Sequence, residues 1–117
     1  MISILIKAAK RFGLDQQKII SWTQDSLKKH GFQNGEVSLF FVEPQKMKAL
    51  NKKYRQIDYP TSVLTFFQGQ ATPEKNFWLG DIVICPLVAK EKNLTIKFLL
   101  NHGIKNLLSE ISAAKSK

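Results

Sequence analysis

The sequence predicts an α+β fold, a small mixed β-sheet flanked by helices, on three observations. Short apolar runs rich in β-branched residues alternate with stretches of helical period. Two adjacent strand candidates, 63–67 and 77–85, are joined by a polar connection carrying Gly and Pro. The chain then closes on a long amphipathic pattern, which gives the order βαβαββαα. At 117 residues the chain suits a single domain, since domains typically run to about 100–200 residues. A chain of this size buries roughly two-thirds of the surface its unfolded form exposes, enough for one ordinary core.

Each element has its own signal. Residues 2–6 form a β-rich run of Ile and Leu. Asp15 caps a helix over 16–29 carrying Ile19, Ile20, Trp22 and Leu27, with Gly31 as its stop and His30 as a favourable charge at the C-terminus. Val37 to Val42 is apolar apart from Ser38 and suits a buried strand. Pro44 opens a second helix through Arg55, where its missing N–H has no partner to lose. Met47, Leu50 and Tyr54 mark the buried stripe of that helix. Asp58-Tyr59-Pro60 is turn chemistry, and 68–73 is read as a loop between the two strands of a hairpin. Pro86 starts a short helix through Lys90. The last helix spans about Thr95 to Ala113, with Ile96, Leu99, Leu100, Ile104, Leu107, Leu108 and Ile111 on one broad face.

Charge narrows the function. Eighteen Lys and Arg against nine Asp and Glu leave a net +9, an excess that favours a polyanionic partner, nucleic acid before lipid. Five of the eighteen cations, Lys46, Lys48, Lys52, Lys53 and Arg55, fall within ten positions of the second helix without one acid among them. A solvated face is the default account of such a run, yet like charges four apart on a helix repel mildly, so an unrelieved row suggests an anionic partner nearby. No apolar run approaches the roughly 18 residues needed to span a bilayer. The N-terminal apolar run is broken by Lys7 and lacks a small-residue cleavage site, so no signal peptide is expected and the location expected is cytoplasmic. Cys85, the one cysteine, excludes an internal disulfide and any Cys-rich zinc site.

Single polar residues carry what chemistry remains. Asp81 interrupts Leu79-Gly80-Asp81-Ile82-Val83-Ile84; it is either a turn or bulge residue bonding local backbone or an acid facing a cleft. His102 and Asn106 lie one turn apart at the flank of the last helix's apolar stripe. A lone helical His is more often structural than a ligand, and metal binding needs partners.

Four segments together resemble the YbeY family, bacterial rRNA maturation factors described as metal-dependent endoribonucleases. They are Leu50-Asn51-Lys52-Lys53-Tyr54-Arg55, Pro60-Thr61-Ser62-Val63-Leu64-Thr65-Phe66, Leu79-Gly80-Asp81-Ile82-Val83-Ile84 and His102-Gly103. The family's mixed sheet with flanking helices agrees with the predicted order. Its zinc motif is His-Gly-x-Leu-His with a third His six residues later. Here His102 is the one remaining ligand: Lys105 replaces the Leu, Asn106 stands at the second ligand position and Ser112 at the third. Ser62 and Thr65 likewise replace an Asp and a Ser of the family pattern.

A catalytic zinc generally takes three protein ligands plus a water, so no cofactor is expected to be held. Glu110, about 12 Å along the helix from His102, is too far to share an ion. Asp81 and Cys85 are the residues that could approach through the fold. The resemblance implies rRNA or the ribosome as partner, with Lys48, Lys52, Arg55 and Lys105 contacting RNA and His102 and Arg55 as the catalytic candidates. Metal-dependent cleavage is expected to be weakened or lost, which leaves its status as an enzyme open. Any surviving cleavage divides between a metal-bound hydroxide and a metal-free route, in which His102 takes the 2′-OH proton and Arg55 or Lys105 steadies the phosphate. The alternative function is a non-catalytic module docking an acidic, ribosome-associated protein.

Overall fold

The computed structural model describes residues 1–73 and 76–115, with side chains of the last helix described as far as residue 111. β1 (Ile2–Lys7) leads through α1 (Gln16–Lys29) to β2 (Gly35–Phe41), and α2 (Pro44–Arg55) leads on to β3 (Val63–Ala71). β4 (Phe77–Ile84) is followed by α3 (Pro86–Glu91) and α4 (Ile96–Lys115). The sheet order is β1-β2-β4-β3, with β1, β2 and β4 parallel and β3 antiparallel to β4. This is the mixed α+β architecture the sequence predicts, in the predicted order.

Local chemistry places the helices. The Asp15 carboxylate accepts from the Lys18 N–H at 3.2 Å, capping α1, and Gly31 follows the His30 C-cap in the left-handed region at φ 84°. Pro44 is the first residue of α2.

Three features depart from expectation. A 3₁₀ turn, Lys10–Phe12, precedes α1. β3 continues past residue 67 to Ala71: pairing with β4 breaks after Phe67 and resumes at Gln70 opposite Trp78, with Gly69 at φ 59° between. The expected loop at 68–73 is therefore mostly strand. Finally, Tyr54 is 49% exposed, whereas Met47 and Asn51 are the buried residues of α2.

The sheet separates two cores. On one face Val37, Leu39, Phe41, Ile82 and Ile84 pack with Ile19 and Leu27 of α1 and Leu99, Leu100, Ile104 and Leu107 of α4. On the other a smaller cluster joins Leu64, Val83 and Cys85 to Met47 of α2 and Val88 of α3. Two glycines set how closely α4 lies on the sheet. A Cβ on Gly80 would fall 2.4 Å from the Phe66 carbonyl oxygen and 3.0 Å from Leu107 Cδ2. One on Gly103 would meet the Ile82 side chain at 3.0–3.3 Å.

Candidate nucleic-acid interface

The cationic helix is built to end where it does. Gln56 is left-handed at φ 57°, its N–H bonding the Lys52 carbonyl at 3.1 Å while the Ile57 N–H bonds that of Asn51 at 3.3 Å. The buried Asn51 side chain then donates to the Tyr59 carbonyl at 2.9 Å, tying down the turn that leads to β3. Lys52, Lys53 and Arg55 occupy the last turn, where the helix dipole favours positive charge, so fold stability supplies one reason for their presence. Lys46, Lys48, Lys52, Lys53 and Arg55 are all exposed. The one ion pair among the described residues, Arg11 to Glu43 at 2.7 Å, uses none of them.

Arg55 reaches the outer edge of the sheet. There it lines an open groove of about 580 Å³ with Thr65, Phe66, Phe67 and Gln68 of β3 and Asn106, Ser109 and Glu110 of α4. Lys48 and Lys52 precede Arg55 at helical spacing along the exposed side of α2. Arg55 and the second-ligand position Asn106 therefore share one groove. His102 stands one helical turn back, exposed, outside the groove lining, with its ring stacked on Phe98 (centroids 6.3 Å, planes 12° apart). Lys105 is exposed on the same helix, and the Ser112 side chain lies outside the described residues.

The position of His102 follows from its neighbour. Gly103 presses on Ile82, which leaves His102 and Asn106 on the outward face. His102 Nε2 lies 3.4 Å from the Asn106 amide nitrogen, which donates to it when the imidazole proton sits on Nδ1. This donor set does not fit a three-histidine zinc centre: one imidazole faces a carboxamide, and no three His, Cys, Asp or Glu side chains among the described residues are grouped to hold an ion.

Strand register settles the sequence's open question about Asp81. Asp81 pairs across the sheet with Ser38 and Phe66, and Val83 and Cys85 continue its face toward α2. It is half-buried, facing a groove between α2 and the sheet on the side away from His102. Burial raises its carboxyl above the usual carboxylate range, partly offset by the Gln68 amide, 3.5 Å from Oδ2, and the Ser38 hydroxyl. Cys85 is completely buried in the smaller core, and that burial likewise raises its thiol. The expectation that Asp81 or Cys85 could approach His102 is thus corrected by the sheet lying between them.

A family model described as Endoribonuclease YbeY matches residues 5–109. The chain belongs to the YbeY endoribonuclease family. It is 34% identical over 113 residues to an Endoribonuclease YbeY of Aquifex aeolicus, an alignment covering 90% of this chain and 74% of the relative. It is 36% identical over 106 residues to one from Treponema denticola, covering 80% and 68%. The solution structure of TM1509 from Thermotoga maritima superposes with a TM-score of 0.53 at 30% identity, covering 92% of this chain and 71% of that one. The YbeY-like segments of the sequence meet in the fold: the end of α2, the start of β3, the middle of β4 and the middle of α4. Sequence reasoning missed Gln68 and Ser109 as groove residues. Ser109 was discoverable by spacing, three residues beyond Asn106 on the same helix.

Proposed function

We propose that this chain binds structured RNA of the ribosome across the β3 edge, with metal-dependent cleavage weakened or lost. One observation carries the reading: Arg55 from α2 and Asn106 and Ser109 from α4 line a single polar groove, next to exposed lysines free of carboxylate partners among the described residues. Arg55 presents a planar fork that matches two phosphate oxygens, whereas Lys48, Lys52 and Lys105 act as point charges. The names of the YbeY relatives supply the substrate class, and the unfit donor set supplies the loss of cleavage.

Residual cleavage, if measured, is assigned to His102 as a base for the ribose 2′-OH, with Arg55 or Lys105 as the cation that stabilises the phosphorane. No step is routed through a metal, because the donors do not suit one.

The test is a titration of a structured rRNA fragment over a salt series. The expected result is a linear fall of log affinity with log salt, at about 0.7–0.9 per phosphate neutralised. Cleavage assayed beside it in excess chelator, with His102→Ala, is expected to be very slow and to disappear in the variant. No RNA affinity at low salt, with tight binding to an acidic ribosome-associated protein, overturns the proposal in favour of an interaction module.

A further inference from the structure

The groove between α2 and the sheet has no role in the reading above, yet it is continuous with the RNA groove. Phe66 and Gln68 line both, one on each side of the edge strand. Its apolar walls come from Phe40, Val42 and Leu50, and Tyr54 stands over it edge-on to Phe66 with centroids 5.0 Å apart. Exposed Lys46 and half-buried Asp81 complete its lining. Asp81 is poorly served there: its Oδ1 is buried without a hydrogen-bond partner, and its remaining support is the Gln68 amide, 3.5 Å from Oδ2, and the Ser38 hydroxyl. A half-buried acceptor pair, aromatic walls and a cation at the rim form the chemistry that recognises an unstacked base and its phosphate.

Resting on the RNA-binding reading, we propose that this groove holds one unstacked guanine of the bound RNA, with Asp81 accepting from its N1–H and N2–H groups. Among the four bases only guanine presents two adjacent donors on its Watson–Crick edge. Adenine and cytosine set an acceptor beside their single donor group, and uracil flanks its N3–H with two carbonyls, so each turns a lone pair toward the carboxylate. Oδ1 has no partner to lose, and turning the carboxylate to face the base exchanges the long Gln68 contact and the Ser38 hydroxyl for two base N–H donors. The Tyr54 ring, half-exposed, is free to stack on the base, and Lys46 takes the phosphate.

The test uses five-residue RNAs bearing one central G, A or C in a uridine background, with all-uridine RNA as reference, followed by fluorescence anisotropy at low salt. Wild type is expected to prefer the G-containing RNA by about tenfold, the discrimination a good bidentate pair gives. Asp81→Asn is expected to erase that preference and leave all-uridine affinity within about twofold. Tyr54→Ala, at an exposed position, is expected to lower affinity for the G-containing RNA about fivefold, as loss of a stacking surface does. Equal affinity for all four RNAs, or a preference that survives both substitutions, overturns the guanine site. If the RNAs bind without preference and with the normal salt dependence, the groove proposal fails alone. If none binds and the structured fragment also fails, the RNA reading fails with it. Amide signals of Tyr54 and Gln68 that ignore every RNA but shift with an acidic protein assign the groove to a protein and also overturn the proposal.

Discussion

The two faces of the sheet treat their polar residues in opposite ways. On the α4 face a dense core fixes the backbone, and the polar groups, His102, Asn106 and Lys105, stand outside it in water. On the α2 face the core is small, and a carboxylate lies half-buried within it, short of partners. The first arrangement lets side chains change without cost to packing, so ligand positions can be lost while the scaffold stays. The second makes a polar residue costly to keep, which points to a use for Asp81 that outweighs the cost.

The largest expected effect breaks the α4 face itself. Gly80→Ala puts a methyl group against the Phe66 carbonyl and Leu107, and is expected to cost about 3 kcal/mol or more in urea unfolding. If the loss is under about 1 kcal/mol, β3 and α4 are not held against Gly80 as closely as described. Next, restoring histidines with Asn106→His and Ser112→His is expected to raise bound zinc from below about 0.1 to about one equivalent, read by metal analysis of untagged protein. A doubly substituted chain that remains metal-free shows that the outward face of α4 lacks ligand geometry as well as ligands.

Across the edge strand, Lys52→Ala with Arg55→Ala is expected to reduce the salt slope of RNA binding by about 1.4–1.8, at a stability cost of about 1 kcal/mol from the two charges lost at the helix C-terminus. The α2 face is sharpened by pH. The Asp81 carboxyl lies above its ordinary value of 3.8 in the folded chain, so its ionisation opposes folding and stability falls as pH rises through that interval. Asp81→Asn is therefore expected to stabilise the protein at pH 7, with the gain vanishing near pH 3. Thermal unfolding at the two pH values reads it, and an equal gain at both excludes a carboxylate origin. Smallest, Glu110→Gln removes the one acid lining the RNA groove and is expected to tighten binding about twofold, an effect lost in high salt.

Much of this architecture was legible in the residues because burial imposes a period. The seven apolar residues of α4 give its face directly, and Asp15, Pro44 and Gly31 mark helix ends by local chemistry. What escaped depended on neighbours distant in sequence. Gln68-Gly69-Gln70 has loop composition, yet pairing with β4 on either side, at Phe67 and again at Gln70, carries the strand through it. Tyr54 continues the period of Met47 and Leu50, but by that turn α2 has carried it to a half-exposed position over Phe66. The direction of Asp81 could not be read along β4 alone, because the register shift between Glu36 and Val37 places both Leu79 and Gly80 before the alternation resumes. The ligand deficit was visible as bare letters, His102 with Asn106 and Ser112. That Arg55 lines one groove with the same helix across an edge strand was not, since their nearness is a property of the folded sheet.

Gly103 gives the last point. Because a Cβ at 103 would lie only 3.0–3.3 Å from the Ile82 side chain, the helix sits close on the sheet there like a cog, and that contact sets its outward azimuth. Whatever side chains occupy 102, 105, 106 and 109 are displayed in the same directions. That makes this flank of the molecule an exchangeable faceplate: its chemistry can be rewritten a letter at a time, toward metal or away from it, while the body behind stays in register.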